Sequence, residues 1–186
     1  VCITGNPNVG KSTIFNSLTG MHQHTGNWAG KTVSNARGMY TYHEIKYELV
    51  DIPGTYSLMS QSEEEEIARD YMCFARPDCA IIVVDATCLE RNLNLVHQIL
   101  EITDKVVVCV NLLDEAKKKG IEIDFNKLEK RLGVSVVPTI ARKKHNLKKI
   151  MQEVEKVCTQ NKETQTKDIQ YPIQIEKAIK IVQNTI

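Results

Sequence analysis

The 186-residue chain has no surplus of either charge: 24 Lys and Arg stand against 23 Asp and Glu, a formal charge of +1. No global field draws in nucleic acid or an anionic membrane, so a polyanionic partner would need a local patch. No apolar run approaches the roughly 18 residues of a membrane span, and no charged-then-apolar leader precedes the first apolar stretch. No CxxC pair occurs among the six cysteines Cys2, Cys73, Cys79, Cys88, Cys109 and Cys158. A chain this long does not need disulfide staples, which favours a reducing cytoplasm. No internal repeat is visible. What is present is an ordinary globular composition, 42% hydrophobic and 25% charged, which supplies a core and disfavours disorder. The length fits one domain with a short appendage. The opening Val1-Cys2-Ile3-Thr4 has the pattern of the last part of a strand, so an excerpt of a longer chain is expected.

Short β-rich apolar runs alternate with helical patterns. Residues 1–4, 48–51, 79–85, 106–111 and 134–138 read as buried strands, and helices are expected near 11–18, 62–74, 92–102, 124–132 and 147–157. Such alternation means an α/β fold with a largely parallel sheet. Two polar, alternating segments within 33–47, around His43-Glu44, suggest an antiparallel hairpin at one edge. Residues 1–158 are therefore expected as one domain, 159–168 as a polar linker, and 169–186 as the first helix of something further.

The strongest chemical signal is Gly5-Asn6-Pro7-Asn8-Val9-Gly10-Lys11-Ser12, a full GxxxxGK[ST] between a strand and a helix. By residue usage this pattern turns up by chance in about one chain in a hundred of this length. Such a loop wraps a β-phosphate with its own N–H groups, and side chains in place of the glycines would block the approach. Lys11 then supplies charge to the β- and γ-phosphates, Ser12 ligates Mg²⁺, and the helix N-terminus, with Thr13 behind it, adds its dipole.

Other motifs must choose the base. Asp51-Ile52-Pro53-Gly54 ends an apolar strand, where Asp51 can hold Mg²⁺ through water and the Gly54 N–H can meet a γ-phosphate. Asn111-Leu112-Leu113-Asp114 follows Asp51 by 60 residues, the room two further strand and helix units require. A carboxylate there accepts from guanine N1–H and the C2 amine together, whereas adenine offers an acceptor at N1 and no amine at C2. A fifth element would be Thr139-Ile140-Ala141-Arg142, with backbone N–H groups facing guanine O6.

In this order the four motifs resemble those of Ras-like GTPases of the translation-factor-related class. The stretches Gly26-Asn27-Trp28-Ala29-Gly30-Lys31-Thr32-Val33, Asp51-Ile52-Pro53-Gly54-Thr55-Tyr56-Ser57-Leu58 and Asn111-Leu112-Leu113-Asp114-Glu115-Ala116 narrow the resemblance to the ferrous iron transporter B (FeoB) family. The fold it implies is a Ras-like P-loop GTPase: a mostly parallel six-stranded sheet with one antiparallel edge strand, helices on both faces, and the start of a C-terminal helical domain. The function it implies is a GTP-binding, GTP-hydrolysing module at the cytoplasmic face of a membrane. That module would regulate Fe²⁺ uptake by a covalently linked membrane domain, with room for a homo-oligomer in the full protein. By the same resemblance Thr32 is the switch I threonine that meets Mg²⁺ and the γ-phosphate. Asn8 in a GxPNxGKS loop resembles the K⁺-dependent GTPases, where its side-chain oxygen and switch I carbonyls, here those of Gly26 and Trp28, hold K⁺ beside the phosphates. The catalytic set implied is Lys11, Asn8, Thr32 and Gly54, with a slow intrinsic rate. Thr55 takes the place of the glutamine that orients water in many GTPases. Leu112 stands where most carry the lysine of NKxD, so weaker nucleotide affinity is expected, and Lys143-Lys144-His145 replaces a glycine-bearing turn.

Several tempting features have plainer explanations. His22 and His24 form an HxH with no third ligand placed by the sequence. The run Glu63 to Glu66 suits a helix N-terminus, with Ser62 and Glu65 as a capping box. Lys143, Lys144, Lys148 and Lys149 form a basic patch of the kind usually solvated, and Cys79 and Cys109 lie in apolar strands as core residues. The rival function is an RNA-binding GTPase of ribosome assembly, which shares the Asn-Val-Gly-Lys-Ser loop. A basic domain should then follow, whereas 173–186 carries only Lys177 and Lys180 as cations, so no nucleic-acid partner is expected.

Overall fold

The structure, a computed structural model, describes residues 1–20, 23–59 and 61–159, together with Ile173, Lys177 and Lys180. Along the chain run β1 (Cys2–Gly5), α1 (Lys11–Thr19), β2 (Gln23–Asn27), β3 (Ser34–Tyr42), β4 (Ile45–Asp51), α2 (Glu63–Asp70), β5 (Ala80–Asp85), α3 (Leu89–Leu100), β6 (Val106–Asn111), α4 (Leu113–Lys118), α5 (Phe125–Leu132), β7 (Ser135–Pro138) and α6 (Leu147–Thr159). One sheet holds all the strands in the order β2-β3-β4-β1-β5-β6-β7. Pairing is parallel from β4 through β7 and antiparallel where β3 meets β2 and β4.

The sheet thus has seven strands, one more than expected. The strand that runs against the others, β3, is second from the edge because β2 pairs beyond it from Gln23 opposite Gly38 to Asn27 opposite Ser34. Gln23-His24-Thr25-Gly26-Asn27 has neither an apolar side chain nor an alternating pattern, so only backbone hydrogen bonds make it a strand, and these leave no trace in hydrophobic periodicity. The six-residue α4 was also unexpected. The hairpin around His43-Glu44 is present: both residues take left-handed φ, 45° and 67°, as a two-residue turn between twisted strands requires. His43 is held there by its ring, 4.1 Å from that of Tyr42 and tilted 32° to it, with Nδ1 3.2 Å from both carboxylate oxygens of Glu155 on α6.

Strands buried on both faces read as continuous apolar runs, and alternate residues divide between two cores. On one face Ile82, Val84, Val108 and Val110 meet Met72, Leu95, Ile99 and Leu132 from the α2, α3 and α5 side. On the other, Ile81, Val83, Val107 and Cys109 meet Ile14, Phe15, Ile150 and Met151 from α1 and α6. Helices therefore cover both faces, as expected. Ser62 caps α2 by accepting from Glu65 N at 3.2 Å, and Asp124 caps α5 by accepting from Lys127 N at 2.9 Å. The helix expected through residue 74 leaves α geometry at Tyr71 and finishes in a wider π turn, Tyr71–Ala75. Residue 159, expected to open the linker 159–168, still belongs to α6, and the rest of that expected linker, 160–168, lies outside the described residues. Of 169–186, Ile173, Lys177 and Lys180 are described, helical and exposed.

Candidate functional site

The carboxyl ends of β1, β4, β6 and β7 carry the four loops singled out in the sequence to one edge of the sheet. The strand order reverses at β1, with β2 to β4 placed on one side of it and β5 to β7 on the other, and such a switch point in an open α/β sheet is where ligands bind. The loop after β1 is shaped by close approach. A Cβ on Gly5 would stand 2.2 Å from Val83 O, and one on Gly10, at φ +86°, 2.3 Å from Asn111 Nδ2. Asn8 takes φ 64°, which asparagine tolerates. No side chain caps α1 and its first turn holds no acid, so its leading N–H groups and the positive end of its dipole face the loop with no carboxylate of its own in competition.

Lys11 Nζ forms an ion pair with Asp51 Oδ1. Burial pushes the Asp51 carboxyl above the usual carboxylate range, with Lys11 pulling against it. The loop after β4 is tied to the first by backbone: Ile52 N donates to Ile3 O at 2.9 Å and Thr55 N to Gly5 O at 3.1 Å. Thr55 is 3% exposed and its hydroxyl donates to Ser57 O at 2.6 Å, in keeping with a residue that does not reach an attacking water. Ser12, Thr13 and Asn8 are exposed, Pro7 and Gly54 half-buried, Val9 buried. Asn6 is 2% exposed with neither amide atom hydrogen-bonded.

At the other end of the edge Asn111, 1% exposed, joins two loops: Nδ2 donates to Val9 O and Oδ1 accepts from Ala141 N, each at 2.9 Å. Its amide is therefore used in positioning. The expectation that Thr139 and Ala141 turn their N–H groups to a base is corrected here, since Thr139 N donates to Val110 O at 2.8 Å and Ala141 N to Asn111. The Thr139 hydroxyl faces inward, donating to Val137 O and accepting from the Cys109 thiol, each at 3.2 Å. Ile140 is half-buried. No glycine is needed for the turn that follows because Lys144 and Asn146 take φ 54° and 61°, and Asn146 Nδ2 donates to Pro138 O at 2.7 Å.

Asp114 stands in the first turn of α4, after Leu113 and the N-cap Leu112, which is left-handed at φ 63°. Its Oδ2 accepts from Arg142 Nε at 3.1 Å and from Arg142 Nη2, while Oδ1 is buried with no partner among the described residues. The hydrogen bonds from Arg142 hold the carboxyl below its usual range. Arg142 ends the fifth element read from the sequence, but its pairing with Asp114 was not expected, since nothing local links it to a residue 28 positions earlier.

The segment 26–33 turns toward α2. Thr32 donates to Glu63 Oε2 at 3.0 Å and Lys31 Nζ lies 2.7 Å from Glu66 Oε2, so the acidic run does more than suit a helix dipole. Trp28 meets Tyr71 edge-on at 5.5 Å, and its Nε1 is buried without a partner. The Trp28 carbonyl accepts from Lys31 N at 3.0 Å, and Gly26 pairs with Asn35 in the β2–β3 ladder. His24 lies in β2 opposite Arg37, and His22 lies outside the described residues.

Among the described residues no three His, Cys, Asp or Glu side chains converge as a metal cage. Ser12, Thr32 and Asp51 offer hard oxygen donors, one of them a carboxylate, and this suits Mg²⁺, which binds through one or two carboxylates and the phosphates of its substrate.

The order of these loops on a sheet of this topology defines a Ras-like G domain. Within that class the chain belongs to the family described as Ferrous iron transport protein B, whose profile matches residues 1–154. A similar protein is the Fe(2+) transporter FeoB of Helicobacter pylori, 38% identical over 94% of this chain and 27% of that protein. A second is a fusion protein of Fe(2+) transport protein A and FeoB from Porphyromonas gingivalis, 44% identical over 76% of this chain and 17% of that one. The chain thus spans little more than a quarter of these curated relatives, or less. Among solved structures it resembles the G domain of T. maritima FeoB, with TM-score 0.80 and 40% identity over 84% of this chain and 96% of that one. It also resembles the cytosolic domain of the same transporter in a GDP form, with TM-score 0.92 and 37% identity over 98% and 72%. Among the described residues no helix is long and apolar enough to cross a membrane.

Proposed function

We propose that this chain binds guanine nucleotide, hydrolyses GTP and serves as the regulatory module of an Fe²⁺ uptake protein whose transport domain lies elsewhere in the full chain. The observation that carries the reading is Asn111: its two hydrogen bonds hold the phosphate loop at Val9 and the loop at Ala141 in one frame, beside a carboxylate oxygen of Asp114 that is buried without a donor. A purine with an N1–H and a C2 amine supplies that donor, and its phosphates then fall toward Gly10 and Lys11. Similar structures in GDP forms support the same ligand.

In this reading Gly5 to Ser12 cradle the phosphates and Lys11 leaves Asp51 for them. Ser12, Thr32 and Asp51 would hold Mg²⁺, which neutralises phosphate charge. The Gly54 N–H meets the γ-phosphate. Thr32 must first leave Glu63 and the Trp28 carbonyl must leave Lys31, so the 26–33 segment rearranges on binding the triphosphate. With the Thr55 hydroxyl committed to Ser57, charge neutralisation carries the rate. Asn8, exposed in the loop, would hold K⁺ together with the carbonyls of Gly26 and Trp28. The module would work at the cytoplasmic face of the membrane, with residues 160–168 as linker and 169–186 opening a helical domain. Its family leaves the RNA-binding alternative without support.

The test is competition of GDP and ADP for the purified chain. Guanine should bind far more tightly, and Asp114→Ala should erase the difference; equal affinity of the native chain for the two overturns the reading. Hydrolysis should run faster in K⁺ than in Na⁺ at equal ionic strength, with the difference lost in Asn8→Ala, and coincident rates remove the potassium site.

A further inference from the structure

Asp114, the carboxylate assigned to the base, is occupied from within the chain. Arg142 Nε donates to Asp114 Oδ2 at 3.1 Å, Nη2 bonds to the same oxygen, and Nη1 lies 3.6 Å from Glu115 Oε1. The Nε–H and Nη2–H edge of a guanidinium is a pair of coplanar, parallel donors on one amidine carbon. Guanine presents the same pair, N1–H and the C2 amine, to a carboxylate. We propose that Arg142 is an internal stand-in for the guanine edge, a built-in competitor that holds Asp114 and must swing away before the base can bind, and so sets the affinity and association rate for guanine nucleotides. This rests on Asp114 reading guanine, as proposed above.

Three features of the site favour this role. The Asp114 side chain is 13% exposed and that of Arg142 52%, so the carboxylate is fixed in the wall of the site while its partner stands in solvent and is free to leave. Glu115, 42% exposed and one residue further on, keeps a charge within reach of Nη1, so the displaced guanidinium still has an anion beside it. Only Oδ2 is taken, and Oδ1 remains buried without a donor. The arginine therefore satisfies Asp114 less fully than a base that reaches both oxygens, which lets the nucleotide win.

The experiment measures equilibrium affinity and association rate of a fluorescent GDP on the native chain, Arg142→Ala, Arg142→Lys, Asp114→Ala and the double variant Arg142→Ala/Asp114→Ala. Removing the competitor should tighten GDP by about three- to thirty-fold, the span expected of a charge-assisted pair that is partly in solvent, with faster association and little change for ADP. Arg142→Lys, which keeps the charge but not the paired donors, should fall between. In the Asp114→Ala background the Arg142 substitution should have no effect. Weaker or unchanged GDP binding in Arg142→Ala, while Asp114→Ala still erases the preference for GDP over ADP, overturns the inference and leaves the base reading standing. If Asp114→Ala keeps the preference, the base reading falls and this inference with it.

Discussion

Replacing Asn111 with alanine should damage the site from inside the fold, without touching a residue that meets solvent. The native amide makes two buried hydrogen bonds, donating to Val9 O and accepting from Ala141 N, both at 2.9 Å, on a residue 1% exposed. Losing them forfeits about 1 kcal/mol each in net terms, and it orphans a buried carbonyl and a buried N–H at about 1–3 kcal/mol apiece where neither water nor a new partner reaches them. These contributions overlap, and about 2–4 kcal/mol is the expected loss. For a domain of this size that lowers the midpoint of thermal unfolding by about 5–15 °C. Urea denaturation of the chain without nucleotide is the direct assay, since it separates folding from ligand binding. Asn111→Asp is the informative companion: it keeps the acceptor for Ala141 N, loses the donor to Val9 O and buries a charge. At neutral pH it should be at least as unstable as the alanine variant and recover in part as acid protonates it. An Asn111→Ala protein within about 0.5 kcal/mol of the parent would refute the bridging role.

Asp51 titrates with a pKa raised in the folded state by burial, so the folded chain binds more protons there than the unfolded one. Its contribution should fall as pH climbs from the ordinary carboxylate value to the raised one, and Asp51→Asn should flatten the dependence; denaturation midpoints across pH 3 to 7, on the order of the carboxylate range, check this. Trp28, the single tryptophan, has its ring against Tyr71 and its Nε1 buried. Its emission should therefore differ between GDP and a non-hydrolysable GTP analogue, and identical spectra with binding confirmed would count against a moving segment. Thr55→Ala should leave turnover nearly unchanged and cost about 1 kcal/mol of stability through the lost bond to Ser57 O; abolished turnover would restore the side chain to catalysis.

Sequence made the framework legible where chemistry or burial forces a pattern. Strands β1, β5, β6 and β7 showed as apolar runs because both of their faces are covered, while β4 showed only through its last residues, since Ile45, Lys46 and Glu48 are exposed; the loop Gly5 to Ser12 showed because phosphate binding leaves little choice of residue. The hairpin at His43-Glu44 showed through alternation alone. What stayed hidden is held by backbone or by distance. Strand β2 has only polar side chains, and α4 is too short for a period. The Asn111 bridge, the Arg142 contact and the pairing of Glu63 and Glu66 with Thr32 and Lys31 join residues 28 to 102 positions apart. Asn111 and Asp114 were found by motif, yet the motif could not say that one ties two loops together while the other pairs with Arg142 through a single carboxylate oxygen.

Among the described residues strand β2 is the outermost of the sheet, paired on one side only, and its residues 24–27 are exposed. In amide hydrogen exchange such a strand belongs to the cheapest opening unit of the protein, while β5 and β6, flanked on both sides and apolar up to their last residues, Asp85 and Asn111, should exchange only with global unfolding. Residues 26 and 27 of this strand belong to the 26–33 segment proposed above to rearrange for a triphosphate. On that proposal the moving part would be cut from the sheet's least cooperative material, and would peel and re-zip on the microsecond-to-millisecond scale of local opening while the parallel strands that carry the phosphate loop stay closed.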